Sequence, residues 1–258
     1  MFEVIEKETG KRLPVYATQG DRFLVDAGDG GFAYRSMDLF APIGAAKEEQ
    51  AESCACTFSM VQSEAHELDA LLDGITSGQI PVELGSTIST RLRDGTVVDL
   101  VVTDFDDSSI RLESRDCLGI STSANDLDSF LDKVYGLLPD ALKKRIVETE
   151  RVHIDSDDEK YTDRRKLFVP AASEIFPPDE CYGDEGLYRQ LEWYKDVHNR
   201  VRAERKEADA RWYWTSSPIY SACGNYFCCV YSNGIANRSD ASATSGLAPF
   251  GCIISKIS

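Results

Sequence analysis

Hydrophobic positions in residues 1–43 come in short runs that favour strands. Phe2-Glu3-Val4-Ile5, Leu13-Pro14-Val15-Tyr16, Phe23-Leu24-Val25 and Phe32-Ala33-Tyr34 are β-prone, and Thr9-Gly10-Lys11, Gln19-Gly20-Asp21 and Gly28-Asp29-Gly30-Gly31 between them are turn chemistry. The pattern predicts a small β-rich docking or interaction domain, too small for a catalytic cleft. Residues 44–84 read as a linker followed by a helix. Residues 44–52 are small and charged, and over 63–75 Leu68, Leu71 and Leu72 share one face with Gly74 near the end.

From residue 85 the pattern alternates between the two periods. Residues 88–92 and 97–102 flank Arg93-Asp94-Gly95 and predict a hairpin, with a third strand at 110–113. Leu127, Phe130, Leu131, Val134, Tyr135 and Leu138 recur at helical spacing up to Pro139, and Asp140 can cap a second helix carrying Leu142, Ile146 and Val147. An acidic loop at 155–159 leads to a strand at 166–170. The longest helix is predicted over 186–208, with Leu187, Leu191, Tyr194, Val197 and Val201 inside and Arg200, Arg202, Arg205 and Lys206 on the wet side. Strands follow around Trp212-Tyr213-Trp214, at 226–231 and at 250–254. Alternation at 226–231 puts Phe227, Cys229 and Tyr231 on the buried side and Tyr226, Cys228 and Val230 on the other. Of the two tryptophans at 212 and 214 at least one belongs to the core, with Tyr213 exposed between them. The fold class is α+β: a small N-terminal all-β domain and then a mixed α/β domain over 85–258.

Charge and composition narrow the function. Forty-four Asp plus Glu against 28 Lys plus Arg leave a net charge of -16, which argues against direct nucleic acid binding, because phosphates need a basic face. The excess of acid keeps a surface solvated, and the sharper reading is docking on a basic partner or nucleic acid mimicry. No apolar run approaches the roughly 18 residues of a membrane span, and the N-terminus lacks a secretory pattern, so a cytoplasmic chain with reduced cysteines is expected. Cys54-Ala-Cys56 with His66 lacks a second pair at ligand spacing, and Asp104, Asp106 and Asp107 lack calcium-loop spacing, so no metal is expected. His66, His153 and His198 sit in no nucleophile or metal motif, no phosphate loop or dinucleotide fingerprint is present, and no cofactor is expected.

One set of motifs is specific. Trp212-Tyr213-Trp214-Thr215-Ser216-Ser217-Pro218, then Tyr226-Phe227-Cys228-Cys229-Val230-Tyr231-Ser232-Asn233-Gly234, then Gly246-Leu247-Ala248-Pro249-Phe250-Gly251-Cys252-Ile253-Ile254 resemble a domain family of phages, prophages and gut Firmicutes. That family carries a "W-W-L-R-S-P" element, a "Y-F-x-x-V-x-S-D-G" hairpin and a terminal "G-V-A-P-x-F-C-I" strand. Upstream, Arg93-Asp94-Gly95-Thr96, Asp116-Cys117-Leu118, Leu137-Leu138-Pro139, Lys166-Leu167-Phe168-Val169-Pro170 and Gln190-Leu191-Glu192-Trp193-Tyr194 fit as well. The family resembles the C-type-lectin-like fold of formylglycine-generating enzymes and of the variable proteins of diversity-generating retroelements. Thr215 and Ser216 depart from the family's Leu and Arg, and Thr-Ser-Ser is closer to the "W-T-S-S" of the variable proteins.

The resemblance implies a non-enzymatic protein that recognises a protein or glycan ligand and is cytoplasmic or virion-associated. The implied ligand face is Tyr213, Ser217, Tyr220, Ser221, Asn225, Tyr226, Cys228, Tyr231, Asn233, Asn237, Arg238 and Ser239, a composition like that of antibody paratopes. Two alternatives stay open. One is an acidic phage interaction protein, such as a virion component or host-defence inhibitor, which would form a homo-oligomer or hold a basic partner. The other is a formylglycine-generating-type oxidase, weighed down by Cys228 and Cys229 pointing to opposite sides of one strand.

Overall fold

The computed structural model of the protein describes residues 2–7, 9, 11–19, 22–26, 32–36, 39–42, 57–58, 65–154, 159–180, 187–206, 208–221 and 224–256. The chain divides into two compact units, residues 1–54 and 55–258. The first is an antiparallel sheet of β1 (Phe2–Glu6), β2 (Arg12–Gln19), β3 (Arg22–Asp26), β4 (Phe32–Ser36) and β5 (Phe40–Pro42), in the order β4-β3-β2-β1-β5. The β-prone runs lie in the first four of these strands. Leu13 and Val25 are buried in it, and Glu6, also buried, is paired with Arg35 and accepts from Thr9.

The second unit is organised on a six-stranded sheet, β10-β18-β9-β8-β7-β6. Its strands are β6 (Thr57–Phe58), β7 (Thr87–Arg91), β8 (Val97–Phe105), β9 (Ser109–Ser114), β10 (Ile146–Val147) and β18 (Gly251–Ser255). All neighbours are antiparallel except β6 and β7. Gly95 turns the β7–β8 hairpin at φ +90°, a conformation that favours glycine. Period two then sorts the side chains by face. Leu100 and Val102, Ile110 and Leu112, and Cys252 and Ile254 pack into one apolar cluster with α1 (Ala65–Thr76) and α2 (Leu127–Leu137). Leu68, Leu72 and Ile75 come from α1, and Phe130, Leu131 and Val134 come from α2. Leu138 ends α2 in extended backbone because Pro139 follows it. Among the described residues no helix is long and apolar enough to cross a membrane.

The rest of the unit is built from small antiparallel pieces. β11 (Thr149–Ile154) pairs with β12 (Lys160–Arg165), and β13 (Arg202–Ala203) pairs with β14 (Ala210–Arg211). A second sheet contains β15 (Tyr213–Ser221), β16 (Gly224–Val230) and β17 (Ala236–Asp240). Two one-turn helices complete the unit, α3 (Asp140–Lys143) between α2 and β10 and α4 (Ala172–Ile175) between β12 and β13.

Three sequence expectations are corrected here. The helix after Pro139 lasts one turn, and Ile146 and Val147 form β10, where β-branched residues fit an edge position beside β18. The long helix over 186–208 is replaced, within its described residues, by 3-10 turns at Glu192–Lys195 and Val197–Arg200 followed by β13. Arg200 and Arg202, assigned to the wet side, are buried, and the ionic partners of Arg202 outweigh helical spacing. Tyr213, expected at the surface, is as completely buried as Trp214, because both faces of β15 are covered.

The face of the sheet away from α1 and α2 carries charge. Glu113 on β9 accepts from Arg111 Nε at 2.8 Å, Thr103 Oγ1 at 3.1 Å, Arg202 Nη2 at 2.9 Å and the Tyr194 hydroxyl. Glu174 of α4 takes two bidentate guanidinium groups, Arg111 at 2.5 and 3.1 Å and Arg151 at 2.8 and 2.7 Å, together with the Ala171 N–H at 2.8 Å. The guanidinium carbons of Arg111 and Arg151 each lie 4.6 Å from the centre of the Phe168 ring. Burial alone would raise the Glu174 pKa, but the two guanidinium groups outweigh it and hold the carboxyl well below its ordinary range.

Glu174→Gln is therefore expected to lower unfolding free energy by about 3–5 kcal/mol at pH 7, measured by urea denaturation, because it leaves buried guanidinium groups without their counter-charge. Since the native pKa is depressed, the stabilisation by Glu174 is full above the ordinary carboxyl pKa near 4 and is lost as pH falls through the folded value. The wild-type advantage over Glu174→Gln should accordingly shrink below about pH 4.

Candidate functional site

The β11–β12 hairpin has a chemical face that its register defines. Thr149 pairs with Arg165, Arg151 with Asp163 and His153 with Tyr161, so these six alternate onto one side. Arg151 at its centre is anchored behind the face by Glu174. Arg151, His153, Tyr161, Asp163 and Arg165 border a cleft of about 440 Å³. Its apolar floor is Leu127 and Leu131 of α2 with Phe168 and Val169. Ser216, Pro218 and Phe227 of the second sheet form the opposite wall, and Asn125 and Asp128 add polar groups near the start of α2.

The polar groups of the cleft are fixed by one another. His153 Nε2 lies 3.0 Å from Asp163 Oδ1, Arg165 Nε donates to Asp163 Oδ2, and Arg165 Nη2 reaches Asp128 Oδ2 at 2.6 Å. The His153 and Tyr161 rings stack with centres 5.2 Å apart and planes 25° apart. Partial burial works to raise the Asp163 pKa, but the bonds from Arg165 and His153 outweigh it and lower the carboxyl. An ionised Asp163 can only accept, so Nε2 carries a hydrogen, which leaves Nδ1 as an acceptor whenever the ring is neutral. Among the described residues no serine, threonine or cysteine side chain hydrogen-bonds His153.

The residues implied by the resemblance lie elsewhere. Tyr213, Ser217 and Cys228 are interior, a correction to a surface role: the Tyr213 hydroxyl donates to the Arg200 carbonyl at 2.7 Å, and Ser217 Oγ accepts from the Ala172 N–H at 2.7 Å. The side chains of Tyr220 and Ser221 fall outside the described set. Asn225, Asn233 and Arg238 are exposed, and Tyr226, Asn237 and Ser239 are half-buried. Register puts Tyr226 and Arg238 on one face of the sheet, with the guanidinium 5.5 Å from the ring centre, and Asn237 and Ser239 on the other. Tyr231, expected inside, is 43% exposed and borders a shallow groove with Trp212, Arg211 and Ser239. None of the ten whose side chains are described borders the cleft.

The other candidates resolve individually. Cys228 packs with Tyr213 and Val230, whereas Cys229 and Cys252 pack in the opposite cluster with Trp214. Burial pushes the thiols of Cys117, Cys229 and Cys252 up to about 12. Asp106 accepts from the N–H and hydroxyl of both Ser108 and Ser109, which makes it a turn cap. Cys54, Cys56 and the His66 side chain lie outside the described residues. Among the described residues no group of three or more His, Cys, Asp or Glu is placed to hold a metal ion. His198 is exposed beside Asp196, 2.9 Å away.

The fold and cleft define a mixed α/β domain in which a charged hairpin and an antiparallel sheet enclose a ligand-sized space. Residues 122–255 match the family model described as "Domain of unknown function (DUF6273)"; that is 134 of the 258 positions, and the chain belongs to this family. Comparison with curated proteins and with solved structures returns no match. The matched segment contains every residue that borders the cleft, while Arg111 and Glu113 precede it.

Thiol chemistry offers a direct check of the interior. At pH 8 the peptides carrying Cys117, Cys229 and Cys252 should stay unmodified by N-ethylmaleimide in the folded chain and react fully in urea, as read by peptide mass spectrometry.

Proposed function

We propose that the chain is a non-enzymatic ligand-binding protein whose ligand site is the cleft between the β11–β12 hairpin and the second sheet. One observation carries this reading. Polar side chains converge over an apolar floor in a space of about 440 Å³, within the range of small-molecule sites, and their partners already fix them. The raised thiol pKa values of Cys117, Cys229 and Cys252 weigh against cysteine oxidation at these three residues.

The finer parts of the proposal rest on the motif resemblance: a C-type-lectin-like fold, a phage or prophage origin with a cytoplasmic or virion location, and kinship with retroelement variable proteins. A second reading, docking of a protein partner, is favoured by the exposed Tyr231 and Ile235 on the C-terminal hairpin, where Gly234 abuts the exposed Val197. The net charge of -16 would suit a basic partner.

A fragment screen read by amide and side-chain chemical shifts separates the two. Fragments should shift resonances around His153, Asp163 and Ser216, and Ser216→Trp, which fills the cleft, should abolish the response while the melting temperature holds. Responses confined to Tyr231 and Ile235, or undiminished in Ser216→Trp, would contradict the cleft as the site.

A further inference from the structure

Resting on the reading of the cleft as a ligand site, we infer that it takes a neutral, hydroxyl-rich ring, that is, a pyranose unit of a carbohydrate. The argument begins with charge. Arg151 is matched by Glu174 behind the wall, and Arg165 is matched by Asp163 and Asp128, so each guanidinium in the cleft already has its carboxylate. A phosphate or carboxylate ligand would have to displace an existing counter-ion and leave Asp163 or Asp128 facing it, which like charges oppose.

The paired groups still have hydrogen-bonding capacity. A carboxylate offers about four lone-pair sites and a guanidinium five N–H donors, whereas the bonds on Asp163 and Arg165 use only part of each. One rim therefore offers acceptors at Asp128, Asp163 and the Nδ1 of a neutral His153 ring, with the Arg165 donors among them. Hydroxyl groups are the complementary partners, because each both donates and accepts. Asn125 and Ser216 supply the same dual chemistry from the remaining sides.

The non-polar half of the cleft fits the other side of such a ring. Tyr161 is 52% exposed at the rim, and its ring is held flat by stacking on His153. Phe227, Pro218, Leu127 and Leu131 complete a surface suited to the C–H face of a pyranose, whose hydroxyls would point to the charged rim. The combination of an aromatic plate, an apolar floor and a rim whose two carboxylates outnumber its one guanidinium selects a hydroxyl-bearing amphipathic ring over an anion such as a phosphate or a peptide carboxylate.

The test is saturation-transfer NMR on the full chain. The neutral probes are methyl glycosides of glucose, galactose, mannose, rhamnose, fucose and N-acetylglucosamine, with glucuronate, glucose 6-phosphate and trialanine as the other arms. Transfer is expected to the ring C–H protons of at least one neutral glycoside, lost in Ser216→Trp, reduced about fivefold in Tyr161→Ala and retained in Tyr161→Phe, which keeps the ring. Transfer only to the charged probes or to trialanine overturns the inference, as does a signal insensitive to Tyr161→Ala. If fragments occupy the cleft while no neutral glycoside shows transfer, the ligand class falls and the cleft stands as a site; if neither binds, both readings fall.

Discussion

Glu113 and Glu174 lie out of reach of solvent, and each is bound by two guanidinium groups, with Arg111 common to both. Desolvating a carboxylate costs several kcal/mol, so neither could remain ionised in the interior without its partners. Those partners arrive from separate parts of the chain. Arg111 and Glu113 come from β9, Glu174 from α4, Arg151 from β11 and Arg202 from β13. Satisfying two buried charges thus fixes the positions of four elements at once. Three arginines against two glutamates leave one excess positive charge, which the Tyr194 hydroxyl and the carbonyls of Ser114 and Arg115 help to accommodate around Arg202.

The cleft is a consequence of that arrangement. Arg151 is a positioning residue: its guanidinium is committed to Glu174 and lies between the Phe168 and Tyr188 rings, at 4.6 and 4.3 Å from their centres. This pins the middle of β11, and register then carries His153, Tyr161 and Asp163 to the same side. On the opposite wall, the Ser216 N–H donates to the Pro170 carbonyl at 3.0 Å, and Ser217 receives the Ala172 N–H, so the second sheet is tied to the segment that leads into α4. Both walls are held from behind, which leaves the groups at the front preorganised for a ligand.

Local pattern made part of this legible. The β7–β8 hairpin was marked by Asp94-Gly95, α2 by its apolar spacing and Pro139, and β18 by its β-branched residues, because in each case the element's own periodicity coincides with the core it faces. The charged hairpin was hidden for the same physical reason: Arg151, His153 and Asp163 face the interior and cleft with polar groups, while Glu150 and Arg164 pair on the other side at the surface, so no apolar alternation remains. The alternating Thr149, Arg151, His153 and Tyr161, Asp163, Arg165 on either side of the acidic sequence at 155–159 was the available signal. The segment at 186–208 misled for the opposite reason, since helical spacing of Leu191, Tyr194 and Val201 was present but Arg200 and Arg202 had interior partners, the Tyr194 carbonyl and Glu113, that a continuous helix does not accommodate. Cys228 and Cys229 were separable from alternation alone, whereas the burial of Tyr213 and Ser217 depended on a second covering layer that no local pattern records.

The central claim is that buried ion pairing positions the hairpin and with it the cleft. Hydrogen exchange in Arg151→Met tests this directly, because the substitution removes the link to β11 while Arg111 and the Ala171 N–H still hold Glu174. Amides of β11 and β12 should exchange about tenfold faster or more, with those of β8 and β9 changed by less than about threefold. Unchanged protection in β11 and β12, or an equal loss across β8 and β9, would contradict the account.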